Sequence, residues 1–293
     1  MTGETGDQHT SGFAPVGQVT AALGESPVWS VEEQALWWVD IDGQLLLRTD
    51  PEGQTRTWTT PEMPGFVQLS TDGAPVVGME TGIFRFDTGP ATFSRIADLP
   101  QIGVRCNDAC TDSDGRLWFA TMDPENRKPI GTLFRLDPDG SITSILNGLL
   151  TANGLAWDAA RARLYFSDCH ATVQTVWTLP VENGIPALDR RAEFRIFNDL
   201  PGRPDGAALD ADGAYWIAGV GGAELYRFSP DGTLMERHAI PFPAPTKPAF
   251  GGADGRRIYL TSAHRDGAGG ALLAWDGPVR GARTTPYGRK TPA

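Results

Sequence analysis

Cysteine and histidine are scarce in this 293-residue chain, with three of the first and four of the second. Cys106, Cys110 and Cys169 are odd in number. Cys106 and Cys110 have no partner pair downstream, which excludes a disulfide framework and the usual zinc spacings and leaves free thiols. His9, His170, His238 and His264 have no recognisable Ser or Cys partner, and no Gly-x-Ser-x-Gly elbow is present, so a Ser-His or Cys-His nucleophile is unsupported. Cys169 and His170 follow a strand pattern ending at Asp168 and read as ordinary loop residues. No apolar run approaches the roughly 18 residues needed to span a bilayer, and Met1 to Gly12 lack the cationic start and apolar core of a signal peptide. These features predict a soluble, cytoplasmic protein. Net positive charge is also missing: the formal charge is −11, which argues against nucleic acid or anionic membrane as partners. No segment reads as a convincing helix.

What is abundant is turn chemistry, with 35 glycines and 23 prolines, and short strand-like runs between the turns. In Asn107 to Met122, an apolar segment leads to the turn Asp114-Gly115 and then to Leu117-Trp-Phe-Ala-Thr121, a β-hairpin pattern. A polar loop then leads to Gly131-Thr-Leu-Phe-Arg-Leu-Asp137, whose alternation places Leu133 and Phe134 on opposite faces. After the turn Pro138-Asp-Gly140 comes Ser141 to Leu146. Four strands follow one another without a crossover helix. Degraded copies begin at Glu25, Gly65, Asn153, Asp205 and Lys247, and the six anchors stand 40, 42, 46, 52 and 42 residues apart. Four-strand units at that period predict an all-β fold, a six-bladed β-propeller with four-stranded antiparallel blades. Closing such a ring pairs the two chain ends in one sheet, and Val16 to Ala22 lies where the outer strand of the last blade is needed. The predicted organisation is a disordered tail over 1–14, the propeller over 15–281, and a disordered tail over 282–293, where Arg283, Arg289 and Lys290 sit among Gly, Pro and Thr.

In a propeller the innermost strand of each blade lines the central channel, so the residues opening those strands converge on one mouth. The openings are Glu25, Gly65-Phe66, Asn107, Asn153, Asp205 and Thr246-Lys247. Each Asn or Asp alone is explained by turn formation. Together they bring two carboxylates and two amides into one volume, where the carboxylates repel unless a proton or a cation neutralises them. Oxygen donors without His or Cys suit a hard cation such as Ca²⁺, Mg²⁺ or Mn²⁺, with open positions for water or a substrate.

Gly24-Glu-Ser-Pro-Val-Trp29, Arg105-Cys-Asn-Asp108, Asn153-Gly-Leu-Ala-Trp157, Pro204-Asp-Gly206 and Pro248-Ala-Phe-Gly-Gly252 resemble the motif set of the gluconolactonase/regucalcin (senescence-marker-protein) family, in order and over about Glu25 to Thr261. The resemblance implies a hydrolase that opens a sugar lactone to the aldonic acid with one divalent metal, calcium, manganese, magnesium or zinc. It implies Glu25, Asn153 and Asp205 as metal ligands, and Arg105 and Asn107 as substrate contacts. Glu125 falls near a further substrate contact of the family. Two departures stand out: Gly-Glu-Ser for the commoner Gly-Glu-Gly, and Asp158-Ala-Ala for the usual Ser-Pro-Asp after Trp157. Neither touches a proposed ligand. Asp205 is the candidate general base, with water activated by the cation itself as the alternative. The expected partner is a small sugar lactone, and the expected assembly a monomer or weak homodimer. A non-catalytic calcium-binding propeller, and an esterase or phosphotriesterase on the same scaffold, are the other readings.

Overall fold

The computed structural model describes residues 12–288. It is a ring of six antiparallel sheets. Five blades read inner to outer in chain order, with inner strands Gly24–Ser30, Phe66–Leu69, Arg105–Thr111, Ala152–Asp158 and Arg203–Leu209. Blade six takes Pro245–Gly251, Arg257–Ser262 and Ala271–Asp276 from the end of the chain and Ala14–Thr20 from its start. The closing strand begins two residues before the predicted Val16, and Phe13 ahead of it is buried in the core, so the ordered chain starts earlier than the expected boundary. Blade four carries an extra two-residue strand, Ile185–Pro186, and the 3-10 turn Leu188–Arg190 is the one helical element among the described residues. None of the helical structure described is long and apolar enough to cross a membrane.

The side-chain pattern explains the layering. Second strands such as Ala35–Asp40, Leu117–Met122 and Tyr215–Val220 are buried at every residue, because both sheet faces are covered by neighbouring blades. The outer strand Leu234–Ala239 alternates between half-buried and exposed residues. Leu133 joins the core shared with Leu164 and Phe166 of blade four, whereas Phe134 joins that of Phe66 and Phe119 on the other side. A slip of one residue would exchange those two cores, so the alternation fixes the register.

The segment after blade six was expected to be a disordered tail, but up to Gly288 it packs as a strap across the underside of the ring. Ala282 N donates to Leu209 O on blade five, Thr71 N of blade two donates to Tyr287 O, and Gly288 N donates to Gly115 O on blade three. Tyr287 is buried against Phe66, Val76 and Leu136. One large ring with backbone partners supplies the anchor that a polar, Gly-rich composition conceals. The remainder of both expected tails, 1–11 and 289–293, lies outside the described residues.

Ring closure is testable. Without Ala14–Thr20, the strand Ala271–Asp276 presents an unpaired edge, so a chain truncated before Ala21 is expected to aggregate and to melt at lower temperature than the full chain. Light scattering during a thermal ramp decides it. A truncated chain with unchanged melting and no aggregation would show that the seam contributes nothing.

Candidate functional site at the channel mouth

Five of the six inner strands break register beside their opening residue: at Glu25/Val28, Cys106/Asp108, Asn153/Ala156, Pro204/Ala207 and Pro245/Pro248. A bulge at this place turns side chains that strict alternation would send sideways toward the channel axis. Blade two has no such shift. Its opening Gly65 lies against the backbone at Cys106 and Asn107, where a Cβ would not fit. At Asn153-Gly154 both readings of the dipeptide hold: Gly154 sits at φ +63° beside Ser167 and Tyr215, while Asn153 is buried at the mouth.

The predicted residues Glu25, Asn107, Asn153 and Asp205 are all buried, at 4 to 7% exposure, around the mouth of the channel. Asn153 Nδ2 donates to Asp205 Oδ1 at 2.5 Å. Glu25 Oε2 accepts the Ser26 amide at 2.6 Å. Burial, then the charges of Asp205 and Asp108, hold the Glu25 carboxyl well above the usual range. Burial and the Asp108 charge push Asp205 up to about 7. In both, burial and neighbouring carboxylates outweigh the nearby cations.

Arg105 Nη1 donates to Cys106 O at 3.0 Å and to Asn107 Oδ1 at 2.7 Å, and Asn107 Nδ2 donates to Ala152 O at 2.8 Å. Asn107 thus orients Arg105 and ties blade three to blade four, a positioning part beyond the substrate contact expected of it. Glu125 is not brought to this cluster. Its loop is organised by Asp123, whose Oδ2 accepts the amides of Arg127 and Lys128, and Glu125 projects into solvent and pairs with Arg127 at 3.3 Å. Cys169, read from sequence as a loop residue, is buried. His170 faces Thr172.

Two further residues under the mouth carry charge: Lys247, one of the expected openings, and Asp108, which the repeat pattern did not assign to the site. Asp108 is fully buried and accepts the amides of Ala109 and Leu155, each at 2.8 Å. Lys247 crosses the channel from blade six to pair with Asp108 and donates to Ala109 O at 3.2 Å. Its stem passes over Gly206, where any side chain would collide with it. Burial alone would favour neutral lysine, but the charge of Asp108 outweighs it and Lys247 holds its proton. Asp108 follows Asn107 directly, so alternation would turn it away from the channel; the bulge between Cys106 and Asp108 lets both face it. The adjacent motif residue was therefore the available signal.

The donor set fits a divalent cation. Lys247 is committed to Asp108, and among the described residues neither Glu25 nor Asp205 has a salt-bridge partner. Among the described residues no three His, Cys, Asp or Glu side chains converge as metal ligands. A cation here would rest on two carboxylates, the amide oxygen of Asn153 after rotation of that amide, and oxygens from water or a ligand, a coordination left open to substrate.

A six-bladed propeller with two unbalanced carboxylates, two amides and a fixed arginine at one channel mouth is a scaffold for binding a hard cation and a small polar ligand together. The chain belongs to the SMP-30/Gluconolactonase/LRE-like family, whose model matches residues 23–264. It is 35% identical over 258 residues to 6-deoxy-6-sulfogluconolactonase of Pseudomonas putida, covering 87% of this chain and 88% of that one. It is 35% identical over 252 residues to pentonolactonase XacC of Haloferax volcanii, covering 85% and 84%. The fold matches that of regucalcin, a calcium-binding protein, from Agrobacterium tumefaciens with a TM-score of 0.87 at 24% identity, over 94% of this chain and 98% of that one.

Proposed function

We propose that this protein is a divalent-metal-dependent hydrolase that opens a sugar lactone to the aldonic acid. The observation that carries the reading is the unbalanced pair Glu25 and Asp205 joined with Asn153 and Arg105 at one mouth, in a chain similar throughout to sugar lactonases. Glu25, Asn153 and Asp205 would hold the cation. When bound, the cation supplies Lewis-acid polarisation of the lactone carbonyl and stabilises the developing oxyanion.

The chain's own residues supply orientation and proton handling. Water adds to the carbonyl carbon, the bond from that carbon to the ring oxygen breaks, and the ring oxygen leaves with a proton. Asp205 would take the proton from water through its carboxylate. Burial lowers the pKa of the Arg105 guanidinium, while the charges of Asp42 and Glu25 oppose that shift. Two bonds to Cys106 O and Asn107 Oδ1 fix its direction, so its remaining N–H groups can meet ring hydroxyls or the nascent carboxylate.

Acid release from a panel of neutral aldonolactones, using metal-stripped protein with each ion restored in turn, tests the reading. Turnover that depends on an added ion supports it. Ion binding without turnover of any lactone would make the protein a calcium-binding propeller instead. Within that assay, Arg105→Ala is expected to keep its metal and to lose roughly 10- to 150-fold in kcat/KM, the loss of one charged hydrogen-bond donor. The larger part is expected in KM, because the cation already serves the oxyanion. Wild-type kinetics in Arg105→Ala would remove blade three's opening from the substrate pocket.

A further inference from the structure

Beside Asp205 a cleft of about 710 Å³ opens between the mouth-side loops of blades four, five and six, lined by Gln174, Phe197, Asn198, Gly202, Arg203 and Arg265. Its two arginines come from different elements: Arg203 begins the inner strand of blade five, and Arg265 lies in the loop between Arg257–Ser262 and Ala271–Asp276. Arg203 stands two residues before Asp205 on that strand, which sets the cleft next to the mouth. Arg227, in the same blade, is held by Asp210 and Glu236, whereas among the described residues neither Arg203 nor Arg265 has a salt-bridge partner. Arg203 lies against the Cys169 thiol, and its Nε is shut off from solvent with no hydrogen-bond acceptor.

Two guanidinium groups without carboxylate partners on the rim of one cleft ask for an anionic acceptor. The cation expected at Glu25, Asn153 and Asp205 would take the lactone carbonyl end of a sugar. The arginines stand to one side of that point, where the far end of the same ring would lie.

Building on the lactonase reading, we infer that the preferred substrate is a lactone with an anionic group on its exocyclic terminal carbon, which Arg203 and Arg265 hold in the cleft. Phosphate, sulfonate and carboxylate share the required chemistry. The anion would accept terminal N–H groups of Arg203 and a fork from Arg265. It would also account for a positive rim beside a mouth built for a cation, which otherwise weakens cation binding.

The test compares kcat/KM, corrected for spontaneous opening, on glucono-1,5-lactone, 6-phosphoglucono-1,5-lactone and glucaro-1,4-lactone, for the wild type, Arg203→Gln and Arg265→Gln with metal restored. The wild type is expected to favour at least one charged lactone. The ratio of charged to neutral should fall by roughly 10-fold or more in each variant, in line with loss of a charged hydrogen bond, and should shrink in added salt. A wild-type ratio near one, or a ratio unmoved in both variants, overturns the inference while leaving the lactonase reading in place. Calorimetric binding of 6-phosphogluconate against gluconate gives a readout free of catalysis. Tighter binding of the phosphorylated acid by the wild type alone, with no lactone opened, would retain the anion site and discard the lactonase reading; equal binding throughout would discard the anion site.

Discussion

Asp205→Ala is expected to abolish both metal binding and lactone opening. The substitution removes one of the two carboxylates proposed to hold the cation, frees the Asn153 amide from its partner, and deletes the group placed to accept a proton from water. Loss of a general base alone lowers turnover by roughly 10²- to 10⁴-fold, and loss of the Lewis acid adds to it. Metal content after gel filtration and initial rates with excess ion give the two halves of the answer. Undiminished metal with lost turnover would confine Asp205 to the proton step; full turnover would remove it from the site. A pH dependence accompanies this prediction. The Asp205 carboxyl is raised in the folded, metal-free chain from its ordinary value near 3.8 to about 7, so its ionisation disfavours the folded state. The contribution of this group to stability is greatest below the lower value and is lost as pH rises through the window. Divalent ion reverses the trend by displacing the proton, and its affinity is expected to weaken as pH falls below 7. At a free ion concentration a hundred times Kd, binding to the native state alone contributes about 2.7 kcal/mol, measurable as a rise in Tm.

Lys247→Met should destabilise the protein by about 3–5 kcal/mol, the range for leaving one partner of a buried ion pair alone. Asp108 is fully buried beneath the mouth, and Lys247 is its cationic partner. The two backbone amides it accepts hold the carboxylate in place but do not cancel its charge. Adding Asp108→Asn to Lys247→Met removes the orphaned charge and is expected to recover a large share of the loss, a coupling that a packing defect at position 247 would not show. Urea unfolding of the wild type, the two single variants and the double variant measures it. Additive losses would mean that the pair contributes no more than its separate contacts.

How much of this could be read from sequence depended on the range over which each feature is determined. The six anchors are local, four of them followed by an Asp-Gly turn and five by a second strand with an aromatic residue, and each directly precedes an inner strand or lies within its first three residues. Convergence of Glu25, Asn107, Asn153 and Asp205 followed from symmetry alone. What escaped was set by contacts across the ring. Asp108 looked misdirected because a bulge is not visible in an alternation pattern. Lys247 was noted as an opening residue, but its reach to blade three depends on Gly206, some forty positions earlier in the chain. The strap escaped because its partners at Ser70, Gly115 and Leu209 are remote, and a polar segment ending in Tyr287 has no period of its own. Glu125 lies away from the buried cluster for the opposite reason: its loop geometry is decided locally by Asp123, which no repeat position represents.

The seam between Ala14–Thr20 and Ala271–Asp276 also fixes an order of events during synthesis. A ribosome delivers the first of these strands at the outset and its partner only after the other five blades have emerged. Throughout that interval the nascent chain carries one strand without a sheet, and blade one has no neighbour on that side. Stacked solenoids can finish each unit as it appears, but a ring cannot, since its last interface is also its first. The cost of closing the longest loop in the molecule is met in a single late step. Chains released early, after blade five, are therefore open arcs with two bare blade faces, and those faces are where a chaperone or another unfinished arc would bind.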